Sequence, residues 1–311
     1  MKKAMFILLG VLLSFLLIVG IAFADESLNS QTIQQITKEI NPDVEKAIKK
    51  EIDPILKKAK KEISGEAVKV VENSAKIIEL LDKKQKDEAL SLIETSIGKL
   101  EIILNEHPEI SLLPVSITAK IYDTILTLSE VKENKELVKT LVAKGYLQDA
   151  RIILEGMVSE INIQEKNLPL ITYPKALSIA AILIKKDKID EAKKVIQDAL
   201  NALIIKENII PLPLLKAQVI LEKVSSLIEN KGFSKEKVIT YLKVADYEIS
   251  MAEELGYGKR DKEFKDLHSR IEDIKEKISA NEESKGLVKQ LLDRLLRFRK
   301  RIFNKKEEKN E

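Results

Sequence analysis

Cysteine is missing from all 311 residues. Its absence excludes disulfides, thiol nucleophiles and every cysteine-based metal or cluster site. Tryptophan is missing as well, aromatic residues make up only 4% of the chain, and glycine (10) and proline (8) are scarce. Few residues therefore interrupt a helix, while Ala, Leu, Ile, Lys and Glu dominate, and straight-chain residues lose little rotamer freedom in one. Histidine occurs twice, at His107 and His268, in different predicted elements. No His-x-x-x-His pair exists to grip zinc, and neither residue reads as a metal ligand.

The remaining chemical signatures are also absent. Gly256 and Gly258 form a Gly-x-Gly with no third glycine and no strand before it, which rejects dinucleotide binding. There is no Gly-x-Ser-x-Gly elbow and no phosphate loop. Glu253-Glu254 and Glu282-Glu283 are adjacent acidic pairs, which point apart on a helix and cannot share acid–base work. The sequence thus assigns no catalytic residue, no cofactor and no metal, and reads as a non-enzyme.

What is present begins with an address. Lys2 and Lys3 precede an uncharged run from Ala4 to Ala24, closed by Ala22-Phe23-Ala24 and followed by Asp25-Glu26. A basic start, an apolar stretch and small residues at the positions a signal peptidase reads make a secretory signal cleaved after Ala24. The rival reading is an uncleaved anchor, since the run is nearly long enough to span a bilayer. Both place residues 25–311 outside the cytoplasm, in the periplasm or secreted. Residues 25–64 are polar and interrupted by Asn41-Pro42 and Asp53-Pro54, which predicts one or two short helices in a spacer weakly tied to the rest.

From Gly65 the pattern sharpens. Val68, Val71, Ala75, Ile78 and Leu81 trace one helical face, and Leu92, Ile93, Ile97, Leu100 and Ile103 trace another after a polar turn. The second helix opens with Asp87-Glu88-Ala89, which recurs at a constant offset as Asp190-Glu191-Ala192. A looser copy is Lys144-Gly145-Tyr146-Leu147-Gln148-Asp149-Ala150, and a fourth is suggested near Lys231-Gly232. The acidic residue meets the positive end of the helix dipole, and the alanine lets two helices approach. Repetition of this kind implies stacked helical hairpins that cannot bury their apolar faces singly. The predicted fold is therefore mainly α, built of packed antiparallel helical hairpins in an irregular repeat.

Two segments break the rule. Val115, Ile117, Ala119 and Ile121 alternate with polar residues, and Ile161-Asn162-Ile163 does so more briefly. They predict two short extended segments near 115–121 and 159–165, lying close together. The alternative for the first is a helix begun at Pro114. Leu168 to Leu203 is the best copy of the hairpin. Its first helix, entered through Tyr173-Pro174, is apolar nearly all round and is expected to be central and covered on several sides. Later helices run from Pro213 to Leu227, from Val238 to Leu255, and along Phe264, Leu267, Ile271, Ile274 and Ile278.

In chain order stand Leu113-Pro114-Val115, the Gly145 to Ala150 turn, the Leu168 to Leu203 hairpin and Ala252-Glu253-Glu254-Leu255-Gly256-Tyr257-Gly258. Together these motifs resemble the YfdX family over about Glu66 to Ala280. The resemblance implies an exported, mostly helical protein tied to bacterial stress responses, acid and heat among them. It carries over no activity and no cofactor site, because the family has no established catalytic motif to match. The domains are read as 1–24 signal, 25–64 spacer, 65–280 YfdX-like helical domain and 281–311 basic tail.

That tail holds the charge asymmetry which a net charge of +3 conceals. From Lys285 to Glu311 stand ten basic against four acidic residues; outside it and the two signal lysines the chain carries 41 basic and 46 acidic residues. Leu287, Leu291, Leu295, Phe298 and Phe303 form a stripe among Arg294, Arg297, Arg299, Lys300 and Arg301. One reading makes these cations and phenylalanines a contact for an anionic membrane surface or a partner. The other packs the stripe on the body, its arginines solvated or facing acidic residues. Nucleic acid is not expected, as stacking aromatics are missing. The expected partners are periplasmic proteins, as clients or as one docked partner of an adaptor held at the membrane, and a second copy in a homo-oligomer.

Overall fold

The computed structural model describes residues 30–304 apart from Lys231, Lys259 and Arg260. Among the described residues run eleven helices and three strands. In order these are α1 (Ser30–Glu62), α2 (Gly65–Asp82), α3 (Lys86–Glu106), β1 (Leu112–Tyr122), α4 (Leu128–Ala143), α5 (Leu147–Gly156) and β2 (Glu160–Pro169). There follow α6 (Tyr173–Lys185), α7 (Ile189–Asn201), β3 (Ile204–Pro211), α8 (Leu212–Glu229), α9 (Lys235–Glu254), α10 (Glu263–Ser279) and α11 (Lys285–Asn304). The mainly helical expectation holds. β1 and β2 contain the two alternating segments, while β3 was not expected.

The hairpin repeat is visible in the backbone. Lys84, Gly145 and Asp187 occupy the left-handed region at φ 62°, 81° and 62°. In each turn the next N–H reaches back to a helix carbonyl: Gln85 to Leu80, Tyr146 to Leu141 and Lys188 to Leu183. This is the same six-to-one closure at all three hairpins, α2–α3, α4–α5 and α6–α7. The small residue that opens each second helix, Ala89, Ala150 or Ala192, is buried as the grammar requires.

Two of these hairpins cover each other. α3 packs on α6 and α2 on α7. The Tyr173 hydroxyl donates to Ser74 Oγ at 2.9 Å inside the seam, Lys193 pairs with Asp82 at 3.0 Å, and Lys86 pairs with Asp187 at the rim. The Tyr173–Ser74 bond also fixes which face of α2 is buried. Ala67, Val70, Ser74, Ile77 and Leu81 point inward, a turn of about one residue from the predicted stripe of Val68, Val71, Ala75 and Ile78. A serine satisfied by the Val70 carbonyl and Tyr173 behaves as a core residue, which an apolar count misses.

The sheet runs β1-β2-β3, antiparallel throughout, and joins two cores. On β2, Leu168 contributes to the core of α2, α3, α6 and α7, while Ile161 and Ile163, of opposite parity, contribute to the core of α1 and α8–α11. β1 serves both from residues of one parity, Leu113 for the first core and Ile117 and Ala119 for the second. The irregularity between Pro114 and Ser116 allows it, because one extra residue inverts every side chain beyond it. β3 escaped the sequence reading because its pattern, two isoleucines, three polar residues and two isoleucines, does not alternate; only Ile210 among its isoleucines is fully buried.

Two further expectations are corrected. The spacer at 25–64 is instead a continuous helix from Ser30, with Pro42 and Pro54 inside it. Ile36, Ile40, Val44 and Ile52 are buried in the second core, against α8 and α9. A helix-interior proline costs about 3 kcal/mol, which one or two buried aliphatic side chains offset. The most enclosed helix is not α6 but α8, with nine buried residues from Leu212 to Val224. α6 is apolar nearly all round, yet Ile179 and Ile182 on its outer side are about half exposed.

If α1 belongs to the core, Ile40→Ala lowers unfolding free energy by about 2–4 kcal/mol in urea titrations. A change within about 0.5 kcal/mol would return the segment to the status of a solvated spacer.

Candidate functional site

The cationic helix was the strongest site expectation, and α11 packs on α8, α10 and β3. Val288, Leu291, Leu295 and Phe298 are fully buried. Phe298 meets Phe264 of α10 edge to face, with centroids 4.9 Å apart. Gly258, at φ 79°, makes room for both rings: a Cβ there would lie 3.1–3.2 Å from Phe264, Phe298 and Ile302. The apolar stripe is therefore used by the body, which corrects the membrane reading of Phe298. Phe303 lies in the last turn, its side chain outside the described residues.

The arginines divide by position. Arg294 pairs with Glu263 and, at 2.6 Å, with Asp266. Arg301 pairs with Asp261 at 2.9 Å and lies over the Phe298 ring at 5.3 Å. Arg299 is buried, bonded to Gln218 and to Glu51 of α1 at 3.1 Å. Burial pulls its guanidinium below the ordinary value, and the Glu51 charge opposes that pull. Arg297 and Lys300, with Lys289 a few turns earlier, face solvent. Of the seven residues named from the sequence, only Arg297 and Lys300 present a charge with no acidic partner within ion-pair distance among the described residues.

A second polar site was missed. Glu248 of α9 is buried and faces the Lys216–Asp123 pair, whose Nζ–O distances are 2.9 and 2.8 Å. Asp123 also accepts a hydrogen bond from Ser159 Oγ at 2.9 Å. Next to it, the Tyr257 hydroxyl accepts the Ser159 N–H at 3.1 Å and donates to Glu160 at 3.0 Å. Desolvation, reinforced by the Asp123 charge and opposed by Lys216, pushes the Glu248 carboxyl up to about 7. The signal was legible: Tyr241, Ala245, Glu248 and Ala252 share one helical face, so a glutamate stands where an apolar residue belongs. These groups tie the loop after β1, the start of β2, α8 and α9 together, with Glu248 buried, Lys216 largely covered and Asp123 open to solvent at the edge.

His268 was read as an isolated residue. It lies 2.6 Å from Asp246 through Nδ1 and 3.8 Å from Glu253 through Nε2. The Asp246 hydrogen bond raises its pKa above the ordinary histidine value despite partial burial. Among the described residues no group of three potential metal ligands comes together.

The third feature is uncovered apolar surface. α4 buries only Val131 and α5 only Ala150. Leu137, Val142, Tyr146, Leu147, Ile152 and Leu154 are about half exposed or more, reaching 63% at Ile152. Ile171, Ile179 and Ile182, at the start and on the outer side of α6, are comparably open. Scattered single apolar side chains are ordinary on a protein surface, but concentrations of this kind mark contact sites.

Comparison with known proteins adds a family. Residues 67–209 match the family model described as YfdX protein. A solved structure of YfdX from Salmonella Typhi is similar at 12% identity and TM-score 0.33, covering 48% of this chain and 93% of that one. No curated protein matches. The family match ends at β3, short of the Ala280 limit read from the sequence, so α8 to α11 lie beyond it.

The pH behaviour follows from the two raised groups. A carboxyl held near 7 against an ordinary 4.5 favours the folded state when protonated, fully below about pH 4.5, and that advantage is lost as pH rises through 7. His268, also raised, contributes below its ordinary value and is lost as pH rises through its elevated one. Unfolding free energy should therefore fall between about pH 5 and pH 8. Glu248→Gln should flatten that slope and gain on the order of 1–3 kcal/mol at pH 8; an unchanged slope in urea titrations would assign the dependence elsewhere.

Proposed function

The chain belongs to the YfdX family through residues 67–209, and on that footing we propose that it is an exported, non-enzymatic protein that binds other envelope proteins and stabilises them under stress. The observation that carries the reading is the uncovered apolar surface on α4–α5 and on the outer side of α6. A helix that is apolar all round is ordinarily enclosed, so Ile179 and Ile182 at half exposure mark a face suited to partly unfolded chains. Export is supported by the Lys2-Lys3 start, the uncharged run and Ala22-Phe23-Ala24. Those residues lie outside the described ones, and no described helix is long and apolar enough to cross a membrane.

A second reading rests on Lys289, Arg297 and Lys300, which line the solvent side of the docked α11. There the helix touches an anionic membrane surface by charge alone, its apolar stripe remaining on the body. Each basic residue near such a surface adds about 1 kcal/mol, which salt screens.

The protein recovered from the envelope of an expressing bacterium should begin at Asp25. In light-scattering assays it should suppress aggregation of a heat-unfolded model client at near-equimolar ratio, and Ile179→Asp with Ile182→Asp should weaken this severalfold. Failure with every client at fivefold excess would end the stabilising reading. For the second reading, sedimentation with phosphatidylserine vesicles should show binding at low salt that Arg297→Gln with Lys300→Gln abolishes; equal binding by the variant rejects it.

A further inference from the structure

We propose that a cleft between α1, the end of β3 and α11 binds a small aliphatic carboxylate, its carboxyl group on Arg299 and Lys300 and its alkyl part on Ile55, Ile210, Pro211 and Leu296. The site is separate from the surface argued above for clients, and it needs no membrane. None of these residues falls within 67–209, so the family match assigns them nothing.

The first observation is a cavity of about 100 Å³ lined by those six side chains and Glu51. Arg299, Ile210 and Pro211 are buried, Glu51, Ile55 and Leu296 are partly buried, and Lys300 is exposed. One cation thus stands at the mouth and another at the base, with aliphatic walls between them. The second observation is independent of the first. The Arg299 side chain is only 7% exposed. Its Nη1 donates to Gln218 and its Nη2 to Glu51 at 3.1 Å, while its Nε has no hydrogen-bond partner among the described residues. A guanidinium carries five N–H donors, and a buried donor left unmet is costly. A carboxylate in the cavity can accept from it in a short, charge-assisted bond. It would also relieve the burial that works against the Arg299 charge.

The walls identify the class of ligand. A water occupies about 30 Å³, so the cavity has room for about three, and a buried water wants two to four polar partners. Four of the seven lining residues are apolar, which leaves such waters poorly bonded. Replacing poorly bonded water with an apolar group gains affinity, and an alkyl chain of a few carbons collects that gain where an inorganic anion does not. Charge sets the headgroup. Two cations and one carboxylate line the cavity, and Glu222 of α8 also acts on Arg299 through its field. The positive excess is therefore small and suits one carboxylate rather than a polyanion.

Isoleucine methyl NMR of the purified protein, titrated with butyrate, tests the proposal. The signals of Ile55 and Ile210, assigned through Ile55→Val and Ile210→Val, should shift saturably with a Kd of about 1 mM or tighter. Arg299→Gln should weaken binding about tenfold or more. Lys300→Gln should weaken it severalfold with an unchanged circular dichroism spectrum, because this side chain is exposed, so the test does not depend on the Arg299 variant folding. Butanol, the chain without the charge, and inorganic phosphate, the charge without the chain, should each bind about tenfold more weakly than butyrate. Lys57→Gln, which removes an exposed cation of α1 outside the lining, should leave binding unchanged. No saturable shift by about 50 mM butyrate, equal binding of butanol or phosphate, or an equal loss with Lys57→Gln overturns the proposal.

Discussion

A two-helix hairpin has one apolar face and no means of burying it alone. Every larger feature of this protein follows from how that constraint is met. α2–α3 and α6–α7 meet it by covering each other. α8 and α9 meet it with α1, α10 and α11 packed around them. The three-stranded sheet lets the two solutions coexist in one body, because its faces serve different cores and the irregularity at Pro114–Ser116 lets β1 contribute to both. α4–α5 is the place where the constraint is unmet among the described residues, leaving its apolar side chains open to solvent.

The polar interior follows a similar economy. Arg299 and Glu51 bind α11 to α1, and Asp123, Lys216 and Glu248 bind the entry of α4–α5 to α8 and α9. Arg299 and Glu248 are the buried members, and a buried charge adds little net stability when paired, but losing its partner leaves an expensive orphan. Their use here is positional: each joins segments distant in sequence. Glu248 lacks a matching cation of its own, because Lys216 is already engaged by Asp123, and its carboxyl therefore stays protonated to higher pH than a surface glutamate.

The ease of reading elements from the sequence tracked how local their determinants are. α10 is buried along Phe264, Leu267, Ile271, Ile274 and Ile278, the five residues its spacing predicts. The equivalence of the hairpin turns, read from Asp87-Glu88-Ala89 and Asp190-Glu191-Ala192, reappears as matching left-handed residues at Lys84 and Asp187. α1 was unreadable because Pro42 and Pro54 argue locally for breaks, while burial against α8 and α9 overrides them. β3 was unreadable because an edge strand that buries only its last isoleucine needs no alternation. In the candidate sites, the cationic helix was recognised as amphipathic, but amphipathicity is the same signal whether the covering surface is a membrane or the protein's own body.

By itself the sequence determined the helical class, the hairpin repeat, the two alternating strands, the absence of thiol chemistry and the family resemblance. Each of these depends on spacing or composition within one or two turns of chain. Only the tertiary structure decided that α1 is core, that Phe298 and Arg299 are buried on the body, that Glu248 sits at a charged junction and that α4–α5 is left without a mate. Those outcomes depend on which apolar face finds which, and residues far apart in sequence settle that by packing.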